Sequence, residues 1–245
     1  MRRPLRPAAA VAALALTLAG CGLVDDPPPA TSSSSAPDLG TLTGAGRPLD
    51  EGGLRRALPS PGDLGDGWGE DPAGTLFETW AAEVTPASCA PLVLKGPGWD
   101  EVQETSRGRA QANFAAVDNQ PPPGTQRRHV AVWAYSYDEP YPVRLFDEAG
   151  AQVADCSQFS VEQRDTGNSS AYEAAALTFP ALGDRTLALR LTIRQTMETL
   201  TMDFVVVKVG HNTFTVTNGT YNGTPDTALT ERVARATLDG LEEPS

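Results

Sequence analysis

The chain of 245 residues has three cysteines, two histidines and, as its only lysines, Lys95 and Lys208. That scarcity leaves too few soft ligands for a tetrahedral metal centre. No Gly-x-Ser-x-Gly, His-Glu-x-x-His or EF-hand spacing occurs, so a nucleophile elbow, a zinc-protease helix and a calcium loop are all missing. No apolar run is long enough to stay in a bilayer as a spanning helix, and no internal repeat is visible. Positive charge is also short: Lys+Arg 19 stand against Asp+Glu 31, a formal net of −12. A surface of that sign repels nucleic acid, anionic lipid and anionic wall polymer. Neither a catalytic residue, nor a metal, nor a cofactor is expected from this inventory.

What is present begins at the amino terminus. Arg2, Arg3 and Arg6 precede a short apolar stretch from Ala8 to Leu18, followed by small residues, which is the pattern of an export signal over residues 1–20. Leu18-Ala19-Gly20-Cys21 resembles a bacterial lipobox, in which the cysteine thiol receives a diacylglycerol and becomes the first residue of the mature chain. Cys21 is therefore the expected lipidation site, and the lipid bilayer the first expected partner. The other reading is an ordinary cleaved signal with a coincidental cysteine. Residues 21–53 follow with Pro27-Pro28-Pro29, a Ser/Thr run from Thr31 to Ser35 and repeated glycines. This composition cannot offset its ordering entropy by burial, so it reads as a disordered tether with a reach of about 30 Å, or as a mucin-like stalk of the same composition. The expected location is the cell membrane, lipid-anchored, on its extracytoplasmic face.

Residues 54–245 have the length of one domain. Beyond Cys21 they hold Cys89 and Cys156, an even pair in an oxidising compartment, which reads as a disulfide. The alternative is a catalytic thiol, for which His129 and His211 are the sole histidine bases, and neither lies in a motif with either cysteine. Helices are expected over 54–58, over 86–94 carrying Cys89, from about 142 with Leu145, Ala149, Val153 and Cys156 on one face, and after an N-cap at Thr224. Residues 61–69 read as a glycine-rich acidic loop. The strand signals cover 109–117, 128–137, 159–164, 172–179, 185–195, 201–209 and 213–217. Leu187, Leu189, Leu191 and Ile193 alternate with polar or charged residues, which implies a sheet with one buried and one polar face. The fold class is α+β: a twisted antiparallel β-sheet with helices packed on it, one disulfide, preceded by the disordered tether.

Several short segments, taken in order, point to a family. They are Leu58-Pro59, Gly62-Asp63-Leu64, Gly67-Trp68, the run Pro86 to Pro91, Asp155-Cys156, Leu182-Gly183-Asp184, and Val205 to Gly210. Together they resemble the extracytoplasmic sensor domain of actinobacterial membrane serine/threonine kinases and its stand-alone lipoprotein relatives. The resemblance implies a twisted antiparallel sheet with packed helices, a disulfide, a cleft suited to ligand capture, and no catalysis. Two departures stand out. This chain carries no kinase domain or transmembrane helix, and it can form one disulfide where the kinase-linked relatives tend to have two.

Within the domain, Gly62, Gly65, Gly67 and Gly69 follow no strand and lie among Asp63, Asp66 and Glu70, which would repel a phosphate, so they read as a surface turn. Asp147 with Glu148, and Glu242 with Glu243, read as solvated helix surface. Trp133, Tyr135 and Tyr137 alternate along one strand and line one face, as a binding surface for a sugar, lipid or peptide would, or as a core face under a helix. Val130, Val132 and Ala134 make the opposite face apolar as well. Two functions follow from different classes. One is a surface-anchored, sensor-like module that captures a small apolar or wall-derived ligand, or an envelope protein as in an assembly accessory. The other is an extracytoplasmic hydrolase using carboxylates, which a carboxylate pair facing across a cleft would favour.

Overall fold

Leu187, Leu189, Leu191 and Ile193 are all buried, and their strand, Arg185–Arg194, sits inside a nine-stranded antiparallel sheet. The structure is a computed structural model, and it describes residues 44–72, 74, 82–118, 126–164, 167–194 and 198–242. The leader, Cys21 and the tether up to residue 43 lie outside the described residues. In chain order the elements are α1 (Glu51–Ala57), α2 (Pro61–Leu64), β1 (Trp68–Glu70), β2 (Ala82–Thr85), a 3-10 helix (Ala87–Val93), α3 (Pro97–Glu104), β3 (Ser106–Ala116) and β4 (Arg128–Tyr137). Then come α4 (Val143–Gln152), β5 (Gln158–Gln163), β6 (Ser169–Ala176), β7 (Arg185–Arg194), β8 (Thr199–Val209), β9 (Asn212–Tyr221) and α5 (Thr227–Glu242).

The sheet runs β1-β3-β4-β9-β8-β7-β6-β5-β2. Strands β5 to β9 form a meander, and β4 pairs with β9, so the chain must leave the middle of the sheet after β4 and reach the far side to start β5. Helix α4 makes that crossing over one face. The 3-10 helix and α3 make the return crossing from β2 to β3, and a buried apolar cluster joins all three to the leucine face of β7. The opposite face is covered too: Leu54 of α1, Leu64 of α2 and Leu229, Val233 and Leu241 of α5 pack on Val130, Val132, Val205, Val207, Phe214 and Val216. The sheet is thus the middle of three layers.

This corrects the expectation of one buried and one polar face. Alternation holds on β7, but every residue of β9 from Asn212 to Thr220 is buried. Threonines of β9 are short enough to lie under a helix layer on either side, and their hydroxyls hide that burial from a hydropathy pattern.

The folded body also starts earlier than residue 54. Ala45 and Leu49 are buried, and the segment is fastened to the turn between β8 and β9. His211 N–H donates to the Gly46 carbonyl at 2.9 Å, and the Asn212 amide donates to the carbonyls of Ala45 and Arg47, each at 2.7 Å. Leu49 N–H donates to Ser136 Oγ at 2.7 Å, and Asp50 then caps α1 by accepting from Gly53 N–H at 2.7 Å. Gly210 has φ +55°, and a Cβ there would lie 2.3 Å from the Gly46 carbonyl oxygen. Composition cannot reveal such a clasp, because all of its partners are distant in sequence.

Other boundaries moved for local reasons. The expected loop at 61–69 contains α2, whose first turn is tied by the Ser60 hydroxyl donating to Asp63 at 2.7 Å, and the start of β1, which pairs with Phe114 to Ala116. The last helix is capped by Asp226, which accepts from Ala228 N–H at 3.0 Å, rather than by Thr224. Helix α4 buries Leu145 and Ala149 as expected but stops at Gln152, and Cys156 follows it. Cys89 and Cys156 form the disulfide, with Cα atoms 5.5 Å apart, joining the 3-10 helix to the end of α4.

Candidate functional site

Strand β4 organises both recesses that bear on function. Its register with β3 and β9 puts His129, Ala131, Trp133 and Tyr135 on the face crossed by the 3-10 helix, α3 and α4. At the carboxyl end of that face the aromatic stripe is closed over. Tyr137 is buried, Trp133 is buried, and Tyr135 is half-buried. Trp99 of α3 and Tyr141 close the stack, with ring centroids 5.0 Å apart for Tyr137 and Tyr141 and 6.0 Å for Trp99 and Tyr141. Burial raises the Tyr135 hydroxyl to about 12, against a hydrogen bond from the Gln103 side chain that lowers it. Burial likewise holds Tyr137 and Tyr141 well above the ordinary tyrosine value. The recess left among these rings is about 20 Å³, the room of one water molecule. The Trp99 indole N–H on its wall has no hydrogen-bond partner among the described residues.

The amino-terminal end of the same face is open. A cavity of about 160 Å³ lies between the turn after β1, the middle of β3, the start of β4 and the end of β9. Its polar wall is made by Asp71, Asn113, Arg127, His129 and Tyr221. The Asp71 N–H donates to the Asn113 carbonyl at 2.8 Å, extending the β1–β3 ladder and bringing the Asp71 carboxylate beside the imidazole. His129 Nδ1 and Asp71 Oδ2 are 3.7 Å apart, within ion-pair range but beyond a hydrogen bond. Gly74 makes room for that carboxylate, since a Cβ there would come within 2.4 Å of Asp71 Oδ2. The Arg127 guanidinium lies 4.2 Å over the Tyr221 ring and is bonded to Glu198. The edge of Tyr221 meets His129 at 6.2 Å between centroids.

Burial is the largest influence on His129 and lowers its pKa; Asp71 opposes this and Arg127 adds to it. The imidazole is therefore neutral at pH 7, with one nitrogen donating and one accepting. Among the described residues the lining includes no serine or cysteine, Asp71 is its single carboxylate, and Cys89 and Cys156 are consumed in the disulfide. Among the described residues, no three His, Cys, Asp or Glu side chains are grouped to hold a metal ion, and no helix is long and apolar enough to cross a membrane. The cavity brings together Asp71 and His129 from opposite sides of an uncharacteristic stretch of sequence, and no motif spacing could have flagged them.

Two of the segments that suggested a family meet in space. Asp184 accepts hydrogen bonds from Lys208 Nζ and from Gly210 N–H at 2.8 Å, so Leu182-Gly183-Asp184 braces the β8–β9 turn that holds residues 45–47. Lys208 and Gly210 hold the Asp184 carboxylate below the usual range.

The extracellular domain of PknH from Mycobacterium tuberculosis superposes on the chain with a TM-score of 0.55, covering 81% of this chain and 100% of that domain at 11% identity. The chain has the fold of that extracellular domain. An Rv0999 ortholog from Mycobacterium smegmatis also aligns, at a TM-score of 0.46 and 15% identity, over 78% of this chain and 97% of that one. No protein-family model and no curated protein matches the sequence. The expected α+β architecture and its disulfide are both present in the structure.

Proposed function

We propose that the mature protein is an extracytoplasmic lipoprotein, held in the membrane by an acylated Cys21, whose folded domain is a non-catalytic, sensor-like binding module. The supports are the export signal with its lipobox-like end, the likeness of fold to an extracellular domain, and above all the open cavity at the start of β4. Pockets that orient ligands combine an apolar floor with a few convergent polar groups. Here Ala131 and the backbone of Phe114 and Val130 supply the floor, and Asp71, Asn113, His129 and Tyr221 converge on it. Trp133, Tyr135 and Tyr137 continue the same face behind the cavity and serve as its rigid backing, a reading that keeps the aromatic stripe in the binding face without requiring it to open.

Residues 45–47 are fastened to the β8–β9 turn at the carboxyl end of β4, whereas the cavity lies at its amino end. Ten residues of β4 span roughly 30 Å. A hydrolase using a carboxylate pair needs two carboxylates across the cleft, whereas among the described residues the wall offers Asp71 alone, with Glu198 engaged by Arg127.

Native mass spectrometry with lipid extraction of the full chain, purified from membranes, tests the proposal. The expected result is a diacylglyceryl adduct on Cys21 and a co-purifying small molecule that Asp71→Asn releases. An unmodified amino terminus would overturn the anchor, and turnover of a wall-derived substrate that Asp71→Asn abolishes would overturn the non-catalytic reading.

A further inference from the structure

The charges around the cavity at the start of β4 restrict what it can hold. One wall presents the Asp71 carboxylate and the other the Arg127 guanidinium, which is already paired with Glu198. Between them His129 is neutral. A ligand of either sign therefore gains on one wall and loses on the other, and an anion also meets a domain of strongly acidic balance. A neutral ligand whose groups both donate and accept can use both walls, and hydroxyl groups do this. The accepting groups are Asp71 and one imidazole nitrogen. The donating groups are the Asn113 amide and the Arg127 guanidinium. Asn113 is oriented for it, because its Oδ1 already accepts from Gln111 Nε2 at 2.9 Å, which leaves its amide hydrogens to be used. Ala131, on the same face of β4 as His129, offers the apolar contact for such a molecule.

Size narrows the class further. About 160 Å³ is too small for an acyl chain or a peptide segment and enough for one ring. We propose that this cavity takes a neutral, polyhydroxylated ligand of single-ring size, a monosaccharide unit either free or at the end of a glycan chain. The assignment rests on the reading of the cavity as the binding site of the domain.

The two histidines provide the test. His129 lies in the cavity, while His211 is buried at the other end of β4 with Nδ1 3.1 Å from the Tyr137 carbonyl. Their ring signals in NMR spectra of the detergent-solubilised full chain report site and control separately. Titration with glucose, N-acetylglucosamine and a linear N-acetylglucosamine tetramer is expected to shift the His129 signals and leave those of His211 in place. Tighter binding by the tetramer would identify a chain end as the source, and equal binding a free sugar. Asp71→Asn and Asn113→Ala, with unchanged His211 signals certifying the fold, are each expected to weaken binding about tenfold. Glucuronate or putrescine shifting His129 where the neutral sugars do not would overturn the ligand class and leave the cavity as the site. Sugar binding detected by saturation transfer with His129 unmoved would overturn the site itself.

Discussion

Replacing Arg190 with methionine strands a carboxylate in the protein interior. Asp203 of β8 is fully buried, and its register partner on β7 is Arg190. The guanidinium donates twice to Asp203 Oδ1, from Nε at 2.9 Å and Nη2 at 2.7 Å, while Thr230 of α5 donates to Oδ2 at 3.0 Å. Nη2 also donates to Thr227 at 2.8 Å, and the Asn218 amide donates to Thr230 at 3.1 Å, so one network pins the first turns of α5 to the sheet. Removing one partner of a buried pair costs about 3–5 kcal/mol. The Arg190 side chain is 30% exposed, which admits water and screening and places the expected cost near the lower end, about 3 kcal/mol. Asp203→Asn keeps an acceptor for Thr230 and discards the charge, and should cost about 1–2 kcal/mol. The double variant Arg190→Met with Asp203→Leu leaves no stranded charge and should be more stable than Arg190→Met alone. Urea unfolding followed by tryptophan fluorescence measures all four corners of the cycle formed by the wild type, Arg190→Met, Asp203→Leu and their double variant. A coupling of about 2 kcal/mol or more is expected. A cost for Arg190→Met under about 1 kcal/mol, with additive single effects, would refute the claim that this pair holds a buried charge.

Cleaving the disulfide by replacing both Cys89 and Cys156 with alanine releases a crosslink between residues 67 apart, and should lower the unfolding free energy by about 4 kcal/mol in denaturant titrations. Gly210→Ala should destabilise more than Gly167→Ala: both have positive φ, but a Cβ at Gly167 meets nothing within 4 Å, whereas at Gly210 it would strike the Gly46 backbone. Thermal melts should show about 1–2 kcal/mol for the open site and a larger loss for the clasped one. Because burial depresses the His129 pKa below the ordinary histidine value of 6.5, the unfolded chain binds more protons in the window just below that value, so stability falls as pH drops through it. Unfolding midpoints measured between about pH 7 and pH 5 should show this loss, and His129→Gln should flatten it.

Much of the fold was legible where a single periodicity governs a segment. Leu187 to Ile193 alternate because β7 has one covered side at its edge of the core, and Leu145 and Ala149 recur because α4 lies on the sheet with one face. Strand β4 was read with its observed bounds. The compartment rule was enough to pair Cys89 with Cys156. Helix α3 escaped notice because it opens on Gly96, Pro97 and Gly98, residues that read as a break when their neighbours in space are unknown. The second helix layer was hidden by the threonines and asparagines of β9, which are polar in sequence and buried in the fold. The clasp on residues 45–47 and the cavity share a different obstacle. Each is assembled from groups far apart in the chain, Asn212 with Ala45 in one and Asp71 with His129 in the other, and no local pattern encodes a meeting of that kind. The aromatic stripe shows the limit from the other direction: alternation put Trp133, Tyr135 and Tyr137 on one face, but the cover supplied by Trp99 and Tyr141 depends on where α3 lands.

A crystal structure of the full chain purified from the membranes of the producing cell, with no sugar added, tests the binding role most directly. Density for a single ring bearing hydroxyl groups, held among Asp71, Asn113 and His129, is the predicted result. A ligand lodged elsewhere on the domain, with solvent alone between those three side chains, would contradict it.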